Sequence, residues 1–131
     1  MSGCGGGGSS SEPIDRERYT SGQATPKEME ALRTRAERGD AEAQHTLGLC
    51  HIAGVGVPQD AEAASTLWLK AAQQGHADAQ YAFGGLTLLA GESYGDRQLV
   101  EAGVMWLEKA AQQGHEAAGE MLERWNVANQ K

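Results

Sequence analysis

The side chains most able to do chemistry in this chain are four histidines and two cysteines. Histidine can bind a metal ion or act as a general base, and a cysteine thiolate can act as a nucleophile. His45 and His51 are six residues apart, so they lie on different faces of one predicted helix and cannot share an ion. The sequence therefore predicts no metal site, and none of its motifs indicates a cofactor.

The other two histidines occur in a repeated context. Residues 70–76 and 109–115 both read Lys-Ala-Ala-Gln-Gln-Gly-His, and Asp40 follows a glycine in the same way. A polar side chain directly after a helix-ending glycine is well placed to cap the next helix. We therefore predict that His76 and His115 are helix caps and not catalytic groups.

Other catalytic patterns are missing from the sequence. The carboxylates are spread along predicted helix faces without a paired-acid site, and no glycine-rich phosphate loop follows a strand. A Ser-x-x-Lys nucleophile motif is also missing. We predict that the chain is not an enzyme.

The elements that position these residues come in two copies. Ala-Glu-Ala-Gln at 41–44 returns as Ala-Asp-Ala-Gln at 77–80, which is 36 residues later, whereas the heptapeptide returns 39 residues later. The difference places three inserted residues in the second copy, and we predict that they form a loop over 91–95. Self-similarity at this period is typical of stacked helical units, whose function usually lies in a surface.

Each copy is predicted to be a hairpin of two helices, because apolar residues recur at helical spacing and glycine or proline separates the segments. The predicted core residues of the first helices are Ala43, Leu47 and Cys50, then Ala79, Phe83, Leu86 and Ala90. Those of the second helices are Ala61, Ala64, Trp68 and Ala71, then Val100, Val104, Leu107 and Ala111. Gly48 and Gly84 lie at equivalent positions inside helices, which predicts that a crossing helix packs on bare backbone there.

A change of composition divides the chain near residue 25. Residues 1–25 are rich in glycine and serine, so we predict a disordered tail there and a folded domain over 26–131. Thr25, Pro26 and Glu28 form the signature of a helix start. The net charge of −7 repels phosphate backbones and disfavours nucleic acid as a partner, and no apolar run is long enough to span a membrane.

Four blocks of the sequence together resemble the Sel-one-like repeat (SLR) family, a relative of the tetratricopeptide repeat. The blocks are residues 41–44, 47–48, 54–60 and 70–75, in the family's order and spacing. The resemblance implies an all-α fold: a short right-handed α-solenoid of helical hairpins, with two SLR repeats and a capping helix at each end. It also implies a protein-protein interaction adaptor, mostly of bacteria, in signalling, secretion, envelope, symbiosis or virulence pathways.

Some SLR proteins with two cysteines per repeat have been linked to β-lactam binding. Cys50 has no second cysteine in its own repeat, so that activity is not carried over. Two alternatives to an adaptor stay open: a small hydrolase or β-lactam-binding protein, and a structural subunit of an envelope or secretion assembly.

Cys4 belongs to a separate signal. Residues 1–4, Met-Ser-Gly-Cys, resemble the end of a bacterial lipobox, in which the cysteine is lipidated, and the glycines and serines that follow resemble a flexible tether. The charged and apolar parts of a signal peptide are missing. Two interpretations stay open: a lipid-anchored periplasmic protein whose signal lies upstream, and a cytoplasmic protein or an expression leader.

The partner-binding surface is predicted from the residues of the first helices that the core does not use. The tetratricopeptide relationship implies that these helices line the concave side of a monomer, where a peptide or partner protein binds. The predicted surface residues are Glu42, His45, Leu49 and Ile52 in the first copy and Asp78, Tyr81, Gly85 and Leu88 in the second.

The composition of this surface suggests which partner it would bind. Glu42 and Asp78 favour a basic or N-terminally charged peptide, and Tyr81 is predicted to be an exposed aromatic anchor. The alternative is that Leu49, Ile52 and Leu88 only complete the core between the repeats.

Overall fold

The computed structural model describes residues 12–130, and these form seven α-helices and no strand. The helices are α1 (Arg16–Thr20), α2 (Pro26–Glu37), α3 (Ala41–Ala53), α4 (Ala61–Gln73), α5 (Ala77–Tyr94), α6 (Arg97–Gln112) and α7 (Glu116–Ala128). The all-α prediction is confirmed. None of these helices is long and apolar enough to cross a membrane.

The described residues divide between Leu67 and Trp68 into two compact units, and the boundary lies within α4. The first unit contains α1, α2 and α3, and the second contains α5, α6 and α7. The prediction of one folded domain over 26–131 did not anticipate this division.

The start of α2 shows how local sequence sets a helix boundary. The Thr25 hydroxyl accepts a hydrogen bond from the Glu28 amide at 3.1 Å, and the Glu28 carboxylate accepts one from the Thr25 amide at 2.8 Å. These two bonds satisfy amides that the helix itself leaves unpaired. Hydrogen bonds from the Arg18 guanidinium and the Thr25 amide lower the pKa of the Glu28 carboxyl.

Asp40, His76 and His115 occupy the same position directly before α3, α5 and α7. Each side chain accepts a hydrogen bond from the backbone amide three residues later, at 3.1, 3.1 and 3.2 Å respectively. The predicted capping role of the two histidines is confirmed. In all three, the cap follows a glycine with positive φ, a conformation that costs glycine little.

The segment before residue 26 is partly folded, which corrects the predicted disorder over 1–25. Ile14, Tyr19 and Ala24 pack against the core of the first unit, and α1 lies among them. Composition alone missed this contact because a few apolar residues suffice to order a segment that lies on preformed helices. Residues 1–11 of the predicted tail lie outside the described part.

Buried side chains from α2, α3 and the turn after α3 form the core of the first unit. They are Met29, Leu32, Ala36, Ala43, Leu47, Cys50 and Val57. Gly56 lies against this core, since a Cβ built on it would lie 3.0 Å from the sulfur of Met29. The predicted core residues of the first helix of the first copy are therefore confirmed.

In the second unit, glycines bring the backbones of α5 and α6 into contact. A Cβ on Gly84 would lie 3.0 Å from the Gly103 carbonyl oxygen, and a Cβ on Gly103 would lie 2.5 Å from the Leu88 nitrogen. The predicted helix crossing at Gly84 is confirmed. Gly48 is buried in α3, and a crossing helix at that position stays a prediction.

Helix α5 has 18 residues against the 13 of α3 and runs through the segment that holds the insertion, so the predicted loop over 91–95 is wrong. Helix α5 continues to Tyr94, and Gly95, with a φ of +67°, ends it. Gly91 lies inside the helix, where a Cβ would come within 2.6 Å of the Val100 nitrogen. Its small size gives α6 room to pack. From the sequence alone, this glycine was interpreted as part of a loop.

The buried face of α5 differs from the predicted one. Phe83, Leu86 and Ala90 are only partly buried, whereas Leu88 is 3% exposed and belongs to the core of the second unit. A prediction from the spacing of apolar residues gives weight to large side chains. The close crossing of α5 with α6 is instead made by glycines. The contact glycines therefore decide which face of α5 is covered.

Candidate partner-binding surface

The predicted surface residues of the first copy lie on α3. His45 is 4% exposed, because every residue from Ala43 to Gly48 is buried and no face of the helix is free there. This burial corrects its assignment to the binding surface. Leu49 and Ile52 are partly buried, and so is Glu42, whose carboxylate forms an ion pair with Arg16 at 3.1 Å.

In the second copy, helix α7 covers part of the predicted surface on α5. A Cβ on Gly85 would lie 3.5 Å from the Met121 sulfur, and Leu88 packs with Leu107 and Ala118 in the core. Gly85 and Leu88 are buried, so their assignment to the binding surface is corrected as well. Leu88 instead completes the core, as the alternative interpretation expected.

Tyr81 is not the freely exposed anchor that we predicted. Its ring stacks on the His115 imidazole, with 4.7 Å between centroids and 25° between ring planes, and it packs against the core of the second unit. Such a contact contributes to folding as well as to any surface that Tyr81 presents.

His115 and Asp78 form the arrangement that most resembles a catalytic pair. The Nδ1 atom of His115 accepts the Ala118 amide hydrogen, which places the ring proton on Nε2, and Nε2 lies 2.8 Å from an Asp78 carboxylate oxygen. A general base needs a free nitrogen lone pair to take a proton. Both ring nitrogens already have a protein partner, so this pair holds α7 to α5.

Two glutamines have a similar structural role in the second unit. Gln113 Nε2 donates hydrogen bonds to the Gly75 carbonyl at 2.9 Å and to the Gln80 side-chain oxygen at 2.8 Å. Gln80 Nε2 in turn donates to the Ala72 carbonyl at 3.1 Å. Gln80 is 4% exposed, and a buried amide must be satisfied in this way, so these hydrogen bonds serve packing and not chemistry.

The thiol of Cys50 is fully buried, and burial raises its pKa above the ordinary value. The reactive thiolate is therefore disfavoured. Cys4, the predicted lipidation site, lies outside the described residues, and its lipidation stays a prediction.

The terminal groove, as we name it, lies between the C-terminal halves of α5 and α7. It is lined by Leu88, Leu89, Glu92, Met121, Arg124, Trp125 and Ala128. Leu89 is 58% exposed despite being a large apolar side chain. An apolar strip that includes an exposed leucine and a partly buried tryptophan is typical of a contact surface.

A second apolar depression continues the terminal groove across α7. It is lined by Glu123, Arg124, Val127 and Ala128, so Arg124 and Ala128 border both depressions. Val127 is 71% exposed. Arg124 and Ala128 form a ridge on α7, and the apolar surface of the second unit extends over both sides of this ridge.

Sequence reasoning missed most of the terminal groove, although a signal was present. The offset of 39 residues between the second copy and the fragment that follows it aligns Gly85 with Arg124 and Leu86 with Trp125. We derived the surface from two copies only. Carrying the same positions into the third fragment would have placed Arg124 on the surface.

The charged side chains at the rim of the terminal groove have opposite signs. Glu92 lines it from α5, and Arg124 lines it from α7. Among residues 12–130, neither forms an ion pair. Their charges are therefore available to a molecule that lies in the groove.

Comparisons with solved structures agree with this architecture. A crystal structure of a Sel1 repeat protein from Oxalobacter formigenes is similar over 84% of this chain and 84% of that chain, with 34% sequence identity and a TM-score of 0.68. A protective antigen of uropathogenic Escherichia coli strains that displays an SLR fold is similar over 88% of this chain and 25% of that chain, with 22% identity and a TM-score of 0.72. At that identity the second likeness shows the fold alone.

Comparisons of sequence identify the repeats directly. No curated protein sequence matches this chain significantly. The Sel1 repeat model matches residues 41–76 and 77–115, which together make up more than half of the chain. Sel1 repeats generally mediate protein-protein interactions and are typically non-catalytic scaffolds. This chain belongs to the Sel1 repeat family.

Proposed function

We propose that this chain is a non-catalytic interaction module that holds a partner peptide or protein in the terminal groove. The proposal depends mainly on the exposed apolar strip of the groove. In this strip Leu89 is 58% exposed and lies beside Met121 and Trp125. Water around such a strip is released when an apolar partner covers it, which favours binding. The groove therefore suits an apolar anchor residue of a partner.

The groove also restricts the charges of the partner. Glu92 and Arg124 lie on its two sides, so a partner with a basic and an acidic residue flanking its apolar anchor matches both. This differs from the basic or N-terminally charged peptide that the sequence suggested. Glu42 and Asp78, on which that expectation depended, have Arg16 and His115 as neighbours.

Two observations support a role without catalysis. Both nitrogens of His115 are engaged by the protein, and Cys50 is buried with a raised thiol pKa. Catalytic groups need access to substrate and a protonation state suited to the reaction. Neither residue offers this.

Selection of peptides from a random library tests the proposed function. Peptides that bind the folded chain should share an apolar anchor with flanking charges, and Leu89→Glu should weaken their binding roughly tenfold or more, because a charge would enter the apolar strip. Met105→Glu is the matched control, since Met105 is 44% exposed on α6 outside the groove. Both variants must retain the parental helical circular dichroism. Equal affinity of the peptides for the two variants would contradict the proposal.

A further inference from the structure

We infer that a second copy of this chain occupies the terminal groove, so that two copies associate through the same surface about a two-fold axis lying along the groove. This inference depends on the proposed function, because it names the partner of the same site. An isologous contact requires a surface that is complementary to itself. The terminal groove meets this requirement in both shape and charge.

The charges provide the first argument. Glu92 and Arg124 lie on opposite helices of one groove and form no ion pair with the described residues. A two-fold axis along the groove places α5 of one copy over α7 of the other. Glu92 of each copy then faces Arg124 of the second copy, and two equivalent ion pairs form at the rim of an apolar contact.

The apolar surface provides the second argument. Leu89 and Val127 are 58% and 71% exposed, and they flank the ridge of Arg124 and Ala128. A face-to-face contact covers both residues in both copies, whereas an extended peptide in the groove leaves Val127 in water. All of these residues belong to the second compact unit, so the contact needs no particular arrangement of the two units.

The packing of α5 against α6 shows one way in which a second copy cannot bind. Glycine at position 84 lets α6 approach the α5 backbone, since a Cβ there would lie 3.0 Å from the Gly103 oxygen. The offset of 39 residues places Glu123 at the equivalent position of α7. A glutamate blocks so close an approach, so a second copy does not add to α7 as the next helix of a hairpin and docks through the groove.

Sedimentation equilibrium of the full chain over a wide range of concentrations tests the inference. The parent should show a reversible monomer-dimer equilibrium. Arg124→Glu and Glu92→Arg should each weaken the dimer roughly tenfold or more, because each brings like charges together. The double variant with both changes should regain most of the parental affinity, since the charges are again opposite across the axis.

Three outcomes would overturn the inference: a parent that stays monomeric at the highest concentration, single variants that dimerise like the parent, and a double variant weaker than either single variant. Met105→Glu serves as the control and should leave the equilibrium unchanged. If the parent is monomeric and selected peptides still discriminate Leu89→Glu from Met105→Glu, the second copy is the wrong partner and the proposed function stands. If the parent dimerises with charge rescue and no peptide is selected, the second copy is the partner.

Discussion

Gly103 and Gly119 are both helical glycines, yet they lie in opposite surroundings. A Cβ on Gly103 would lie 2.5 Å from the Leu88 nitrogen and 2.8 Å from the Gly84 oxygen, both of them backbone atoms that cannot turn aside. Apart from the nearby backbone of its own helix, no atom of the described residues lies within 4 Å of the place that a Cβ on Gly119 would take. The same residue type therefore serves packing in α6 and is only a cost to helix stability in α7.

Replacing each of these glycines by alanine should change stability in opposite directions. Gly103→Ala should lower the free energy of unfolding by about 1 to 3 kcal/mol, because the added methyl overpacks the α5–α6 contact. Gly119→Ala should raise it by up to about 1 kcal/mol, because alanine favours a helix over glycine. Urea denaturation followed by circular dichroism measures both. An unaffected Gly103→Ala would show that the α5–α6 crossing is looser than described, and a destabilised Gly119→Ala would show that the surroundings of Gly119 are not open.

At the scale of the elements, the second copy shows how a family pattern is modified. Helix α3 ends at Ala53 with Gly54 as a left-handed cap, whereas α5 continues to Tyr94 with Gly95 in the same role. The additional residues lengthen α5 beyond its counterpart. They also carry Glu92 to the rim of the terminal groove, where the first copy has no equivalent.

A proline substitution near the end of α5 tests whether residues 91–94 form a helix or the loop expected from the sequence. Ser93→Pro should destabilise the protein by about 3 kcal/mol, because proline removes a helical hydrogen bond and its ring clashes with the preceding turn. Ser93→Ala is the matched control and should leave stability nearly unchanged, since Ser93 is exposed. Thermal denaturation compares the two. Similar melting temperatures for the two variants would mean that residues 91–94 do not need helical geometry.

At the scale of the whole molecule, charge restricts the class of partner. The chain carries 11 lysines and arginines against 18 aspartates and glutamates, a net charge of −7. Nucleic acid binding depends largely on cationic side chains that neutralise phosphates. An acidic chain of this kind should therefore prefer protein surfaces.

The chain should show no saturable binding to duplex DNA, even at low salt where electrostatic attraction is strongest. Fluorescence anisotropy of a labelled duplex measures this, with a basic DNA-binding protein as the positive control. Saturable binding that weakens as salt rises would contradict the expectation and reveal a cationic patch that the net charge conceals.

The sequence by itself determined six of the seven described helices, several of their caps and the repeat family, whereas it missed α1 and the end of α5. Thr25, Asp40, His76 and His115 accept amide hydrogens within three residues, and such local contacts can be read from adjacent letters. The core of α3 was also predictable, because its large apolar residues recur at helical spacing.

Only the tertiary structure decided which face of α5 is buried and where a partner has room. The backbones of α5 and α6 come into contact at Gly84, Gly91 and Gly103. A core predicted from the spacing of apolar side chains does not include such glycines. Helix α7 then covers Gly85 and Leu88 and leaves Leu89 exposed, because burial depends on residues distant in the sequence. The terminal groove arises from packing between helices, so it became visible only once the helices were in place.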